Sequence, residues 1–161
     1  MVPYLMEIAM DRRSAVMALV GTVAVVFATR QVKAEVLPPV VVYRNPGCPC
    51  CEKWKQLMAA AGFNITMEED ANLPARATSL GVPEKLHGCH TGTVGDYVIS
   101  GHIPPADIMR LLRESPNVKG LSVPGMPVGS PGMEVGDRKD SYDVLAFRFD
   151  GSSYVFSKQG P

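Results

Sequence analysis

Asn45-Pro46-Gly47-Cys48-Pro49-Cys50-Cys51-Glu52-Lys53-Trp54 places three of the chain's four cysteines within four positions, just after the apolar run Val40-Val41-Val42-Tyr43. A run of that kind reads as a buried strand. Glu52 to Ala61 is composed almost wholly of good helix formers and is ended by Gly62. The thiols therefore fall at a strand-to-helix turn. There the first unpaired backbone N–H groups and the positive end of the helix dipole favour a thiolate, the form that binds metal or attacks a disulfide.

Downstream of that turn, Asn64-Ile65-Thr66-Met67-Glu68 alternates as a second strand, and Leu73 to Leu80 reads as a short helix stopped by Gly81 and Pro83. Leu86 to Val94 is a glycine-interrupted strand. Gly95-Asp96 links it to Tyr97-Val98-Ile99-Ser100 in the manner of a two-residue hairpin, so the two runs are expected to be antiparallel neighbours. Pro104 and Pro105 open a helix whose apolar face is Ile108, Met109, Leu111 and Leu112. The order β-α-β-α-β-β-α predicts an α/β, thioredoxin-like domain, a mixed sheet with flanking helices. In that arrangement the turn entering the third strand lies beside the start of the first helix. Cys89 is thus expected to fold against Cys48, Cys50 and Cys51.

Past Glu114 the composition changes. Pro124 to Ser130 and Pro131 to Asp137 are tandem copies of one seven-residue pattern, each presenting one methionine, Met126 or Met133. Proline and glycine at this density exclude a helical heptad, so the copies read as paired turns within a Met-rich loop over residues 120–137. Residues 142–157, divided at Asp150-Gly151, read as a C-terminal β-hairpin that carries this loop back against the main sheet.

The other end differs in kind. Arg12 and Arg13 precede an uncharged, largely apolar stretch from Ser14 to Thr29, and Val32-Lys33-Ala34 resembles a cleavage site. Residues 1–34 are read as a secretory signal peptide, with an uncleaved anchor as the alternative, and residues 35–161 as the mature domain. The expected location is the periplasm, without membrane insertion after cleavage. The mature part carries 12 Lys+Arg against 14 Asp+Glu, which gives no electrostatic reason to expect nucleic acid. An exported chain with an even cysteine count ordinarily holds structural disulfides. The spacing argues against that here, because adjacent Cys50 and Cys51 cannot both pair locally without strain.

Cys48, Cys50, Cys51 and Cys89 are soft ligands suited to Cu(I), zinc or iron–sulfur clusters. Thioethers rarely serve zinc but do serve copper, so Met126 and Met133 turn the choice toward copper. The ordinary role of a methionine is to fill gaps in a core, and Met58, Met67 and Met109 are assigned to it. All three histidines lie between residues 87 and 102. Although a lone histidine is usually a surface or hydrogen-bonded residue, His90 follows Cys89 directly and His102 closes the hairpin, so both are candidate copper ligands ahead of His87. Trp54 is assigned to helix packing, and Arg44 and Lys53 to solvated surface unless they stabilise thiolates.

Asn45-Pro46-Gly47-Cys48-Pro49-Cys50-Cys51, Cys89-His90-Thr91, Gly101-His102-Ile103-Pro104 and the run from Gly120 to Met133 together resemble the CopG-like copper-resistance proteins, a family also catalogued as a domain of unknown function. The resemblance extends from about Val41 to Phe156. It implies a thioredoxin-like fold, copper bound by the Cys-x-Cys-Cys and Cys-His segments, and a place beside copper efflux components in the envelope. It also implies interconversion of Cu(I) and Cu(II). The expected function is a copper-binding protein that sequesters or redox-processes one or several ions, its ligands Cys48, Cys50, Cys51 and Cys89 with His102, Met126 and Met133 as secondary candidates. A binding protein is favoured over a classified enzyme. Two alternatives stand beside it: a thiol–disulfide oxidoreductase using Cys48 and Cys51, and a zinc-stabilised structural module.

Overall fold

A computed structural model describes residues 36–161; the segment read as a signal peptide lies outside the described residues. Strand β1 (Val40–Arg44) is followed by helix α1 (Pro49–Ala60), β2 (Ile65–Glu69), α2 (Leu73–Ser79) and a single 3₁₀ turn at Glu84–Leu86. Strands β3 (His90–Val94) and β4 (Tyr97–Ser100), helix α3 (Pro105–Glu114), and strands β5 (Gly120–Ser122), β6 (Tyr142–Phe147) and β7 (Ser153–Gln159) complete the chain. The strands form one mixed sheet in the order β2-β1-β3-β4-β5-β6-β7. β1 runs parallel to β2 and β4 to β5, and the other neighbours are antiparallel.

The larger core lies on the face covered by α1 and α3, where Trp54, Met58, Ile108 and Leu111 pack on Val40, Val42, Val94, Ile99 and Leu121. Cys51, Trp54 and Met58 are the buried residues of α1. Their spacing of three and then four residues repeats one helix face, so the cysteine turn is fixed by the same stripe that anchors the helix. On the opposite face Ala77 of α2 packs with Val82, Leu86, Val98 and Phe147. The glycine that interrupts β3 has a steric cause, because a Cβ on Gly92 would collide with the carbonyl oxygen of Val41 on the adjacent strand.

The structure departs from the sequence expectation in three places. Helix α1 begins at Pro49 rather than Glu52, so Cys50 and Cys51 lie inside its first turn. The third strand begins at His90 rather than Leu86, the first four residues of that run being the end of the 3₁₀ turn and a short connection. Residues 120–122 are a strand rather than the start of the Met-rich loop, and the C-terminal hairpin extends the sheet through β5. Three residues are too few to show a period. β5 exists because β4 and β6 satisfy its backbone from both sides.

Candidate metal centre

Pro49 shapes the turn that carries the first three cysteines. Its ring disfavours helical backbone at the preceding residue and is pre-set for the first helical position, so Cys48 stays extended (φ −78°, ψ 100°) as the N-cap of α1. Cys48 and Cys51 are joined as a disulfide across this turn, with Cα atoms 5.5 Å apart, while Cys50 and Cys89 are free. The Cys50 sulfur lies 3.3 Å from that of Cys48. Arg44 at the end of β1 secures the turn from behind. It donates to the Cys48 carbonyl at 3.4 Å and pairs with Glu52 and Glu69, each at 3.1 Å. Arg44 is therefore engaged rather than solvated, and what it contributes is positional, since both acids are largely exposed.

Cys89 reaches the same place from the middle of the chain. The backbone before it is pinned by the Gly88 N–H, which donates to the Ser100 hydroxyl oxygen at 2.9 Å. The Cys89 sulfur then lies 3.7 Å from that of Cys51 and 2.6 Å from Nε2 of His102. His102 sits just beyond β4, fully buried, with Nδ1 2.7 Å from the Pro131 carbonyl oxygen. A carbonyl only accepts, so Nδ1 carries the proton and Nε2 presents a lone pair toward Cys89. His90 is also fully buried: Nδ1 is 3.6 Å from the Cys89 sulfur, and Nε2 has no hydrogen-bond partner. Its ring packs against Trp54, centroid to centroid at 4.3 Å, and edge-on to His102 at 5.0 Å.

Two overlapping groups of donors result. Cys48, Cys50, Cys51 and Cys89 have their sulfurs within 4.8 Å of one another, and so have the ligand atoms of Cys51, Cys89, His90 and His102. Cys51 and Cys89 belong to both. The two methionine turns fare differently despite their common sequence. A Cβ on Gly132 would lie 2.7 Å from the Cys50 carbonyl and 2.9 Å from the Trp54 amide nitrogen, so the second turn is seated on the start of α1, and Met133, next in the chain, is partly buried. Gly125 in the first turn has nothing within 4 Å, and Met126 is 55% exposed.

Burial governs the charge state. It pushes the Cys89 thiol up to about 12, helped by the neighbouring Cys50, so at neutral pH this residue is a thiol, unlike the thiolate expected of cysteines at a helix start. Burial, then the nearby His102, holds His90 well below the usual imidazole range. His102 is lowered by burial against the opposing effects of the Pro131 carbonyl and Glu134. Cys89 and the two imidazoles are thus held neutral, and the Cys89 proton is one a metal would displace. The donor chemistry fits a soft cation: thiols, imidazoles and a buried ring nitrogen otherwise unpartnered.

These depressed imidazoles make a prediction for the metal-free protein. Above the ordinary value of 6.5 both folded and unfolded chains hold the rings neutral, so their contribution to stability is full. Below it the unfolded chain takes up protons that the folded chain refuses, and stability falls by about 1.4 kcal/mol per pH unit for each ring that stays neutral. Denaturant titrations at pH 7.0, 6.5, 6.0 and 5.5 measure this. A flat profile would show that the rings take up protons in the folded state.

Sequence reasoning placed the four cysteines and His102 together, named His90 as a candidate but left it out of the final ligand set, and did not anticipate the Trp54 contact or the Pro131 carbonyl. A usable signal for Trp54 was its position one helical turn after Cys51. Three comparisons bear on the site. A family described as "Protein of unknown function, DUF411" matches residues 86–133, a span that takes in Cys89, His90, His102 and both turn methionines but not the first three cysteines. No curated protein matches the chain. Two solved structures, Form 2 and Form 1 of copper resistance protein CopG, superpose with a TM-score of 0.73 each at 41% and 40% identity; each alignment covers 78% of this chain, and 100% and 99% respectively of the matched one.

Proposed function

The chain belongs to the family of copper resistance protein CopG, and from that premise we propose that it is a periplasmic copper-binding protein that sequesters copper and interconverts Cu(I) and Cu(II) at its cysteine-rich site. The observation that carries this reading is the meeting of Cys51 and Cys89, 38 residues apart in sequence with sulfurs at 3.7 Å, as shared members of two four-donor groups. Cys48, Cys50, Cys51 and Cys89 are the principal ligands. His102 is oriented for the role by Pro131, Met133 lies in the seated turn, Met126 is its counterpart in the exposed turn, and buried His90 joins them. Copper is the cargo. The chain's contribution is to gather these donors in one place and to bury the two imidazoles among them.

Export by residues 1–34 and association with copper efflux components belong to the same proposal. So does the thioredoxin-like description of the first four strands and three helices, which the order β2-β1-β3-β4 supports. Two donor groups that share sulfurs imply bridging, so more than one Cu(I) per chain is expected after anaerobic loading of the reduced protein. Metal analysis after desalting measures it, and a stoichiometry of zero with all thiols reduced would reject the function.

A second reading, a thiol–disulfide oxidoreductase, has one observation in its favour: Cys48 and Cys51 are bonded across the start of a helix, where the dipole favours a reactive thiolate. Against it stands Cys50, whose sulfur is 3.3 Å from Cys48 and offers a competing partner in every mixed disulfide.

A further inference from the structure

The bond between Cys48 and Cys51 and the donor groups make competing demands on the same sulfurs. Cys51 belongs to both groups and Cys48 to one. Closing the disulfide therefore removes two sulfurs from the first group and one from the second, leaving Cys50 and Cys89 in the one, and Cys89, His90 and His102 in the other. Reduced and oxidised forms of one helix turn thus offer different donor sets, sulfur-rich and nitrogen-richer. In the closed form the two Cα atoms are 5.5 Å apart, within the ordinary range for a disulfide, so the turn accommodates the bond.

Resting on the reading that this site takes copper, we propose that the Cys48–Cys51 dithiol is the internal reductant of that copper: it passes one electron to each of two cupric ions and closes to the disulfide. The step balances. Two S–H bonds break and one S–S bond forms, two Cu(II) become two Cu(I), and two protons leave to solvent. The cupric ion is the only oxidant required. Cys50 and Cys89 stay out of the new bond and are not oxidised, and they and the two histidines hold the product.

The same event that makes Cu(I) withdraws sulfurs that would retain it. Soft thiolates are the ligands Cu(I) prefers, so the oxidised chain holds its product less tightly than the reduced chain would. Reduction and release are therefore coupled through one bond. A second round needs an external dithiol to reopen the bond by exchange at the exposed side of the turn, where Cys48 is only partly buried.

The test adds excess Cu(II) without oxygen to fully reduced chain, in the presence of a chromophore specific for Cu(I). Expected are two Cu(I) and the loss of two thiols per chain, with peptide mapping placing the new bond between Cys48 and Cys51. Protein in which that bond is formed beforehand still carries two thiols, at Cys50 and Cys89, and is expected to reduce copper at least about tenfold more slowly, as is Cys48→Ser. Reduction at an undiminished rate by the pre-oxidised protein, or a bond mapped to another pair or between chains, would overturn the inference. A parallel arm adds Cu(I) itself to reduced protein. Binding there without a Cys48–Cys51 bond in the first arm sinks the internal reductant alone, whereas no binding there sinks the copper function with it.

Discussion

Cys89→Ser is expected to lower the affinity for Cu(I) by at least about a hundredfold and to cut the number of ions bound. That is beyond what losing a supporting partner of a ligand ordinarily costs, because Cys89 is common to both donor groups. Its sulfur stands 3.7 Å from Cys51 and 2.6 Å from His102 Nε2, at the junction of the sulfur-rich and nitrogen-richer halves. Serine keeps nearly the same shape but offers a hard oxygen that stays protonated at every accessible pH, so a soft ion loses its bridge. Burial already holds the Cys89 proton in place, up to about 12. Copper must displace that proton, so the affinity of the native chain rises with pH while that of the variant loses this part of the dependence. Competition titrations against a Cu(I) chelator at two pH values measure both effects. An unchanged affinity and stoichiometry would mean that Cys89 is a packed thiol beside the site and no ligand of it.

The convergence on which that prediction stands was legible before any coordinates. The apolar run Val40–Tyr43, the helix formers after Glu52 and the Gly95-Asp96 hairpin each gave a local signal strong enough to fix element order. The order then placed the residue before the third strand beside the start of the first helix. What stayed hidden was decided by tertiary context. Gly120-Leu121-Ser122 has no period and begins with a residue poor in strands, yet it is a strand, paired on both sides. The burial of His90 could not be read from Cys89-His90, since a side chain at a strand's first position can face either way. The placement required Trp54, brought up by α1 and held through Nε1 donating to the Ile103 carbonyl at 2.9 Å.

The methionine turns carry the same lesson. Pro124-Gly125-Met126 and Pro131-Gly132-Met133 are indistinguishable as local sequence, and both Gly125 and Gly132 adopt left-handed backbone, φ 70° and 86°. Of the two, it is the second turn that docks on the start of α1. Its Pro131 carbonyl accepts from His102, and its glycine fits where a Cβ would press on Cys50 and Trp54. Repetition revealed that a turn was wanted, while the histidine and the helix start selected which copy would be used. The seated turn closes one side of the cluster, so the nitrogen-richer half is buried while Cys48 and Cys50 remain in partial contact with solvent.

Trp54→Ala is expected to destabilise the metal-free protein by about 3–5 kcal/mol, a large part of the roughly 5–15 kcal/mol that holds a domain of this size together. Trp54 is fully buried and packs with Met58, Val40 and Val42 on the larger core. Truncation leaves a cavity beside His90 and strips the Ile103 carbonyl of its donor. The melting temperature should fall by roughly 10–20 °C. Trp54→Phe separates the contributions: it keeps most of the apolar contact and a ring against His90 but removes the N–H. It should cost about 1–3 kcal/mol, the penalty of a buried carbonyl left unpaired. The metal site registers the difference independently of folding. With its stacking partner gone, His90 is no longer held toward Cys89, so copper affinity should drop in Trp54→Ala and remain nearly native in Trp54→Phe. Denaturant unfolding of both variants, with and without Cu(I), decides it. If Trp54→Ala melts within a few degrees of the native chain, the start of α1 is anchored by something other than this indole, and the alignment of cysteine turn and imidazoles needs a different support.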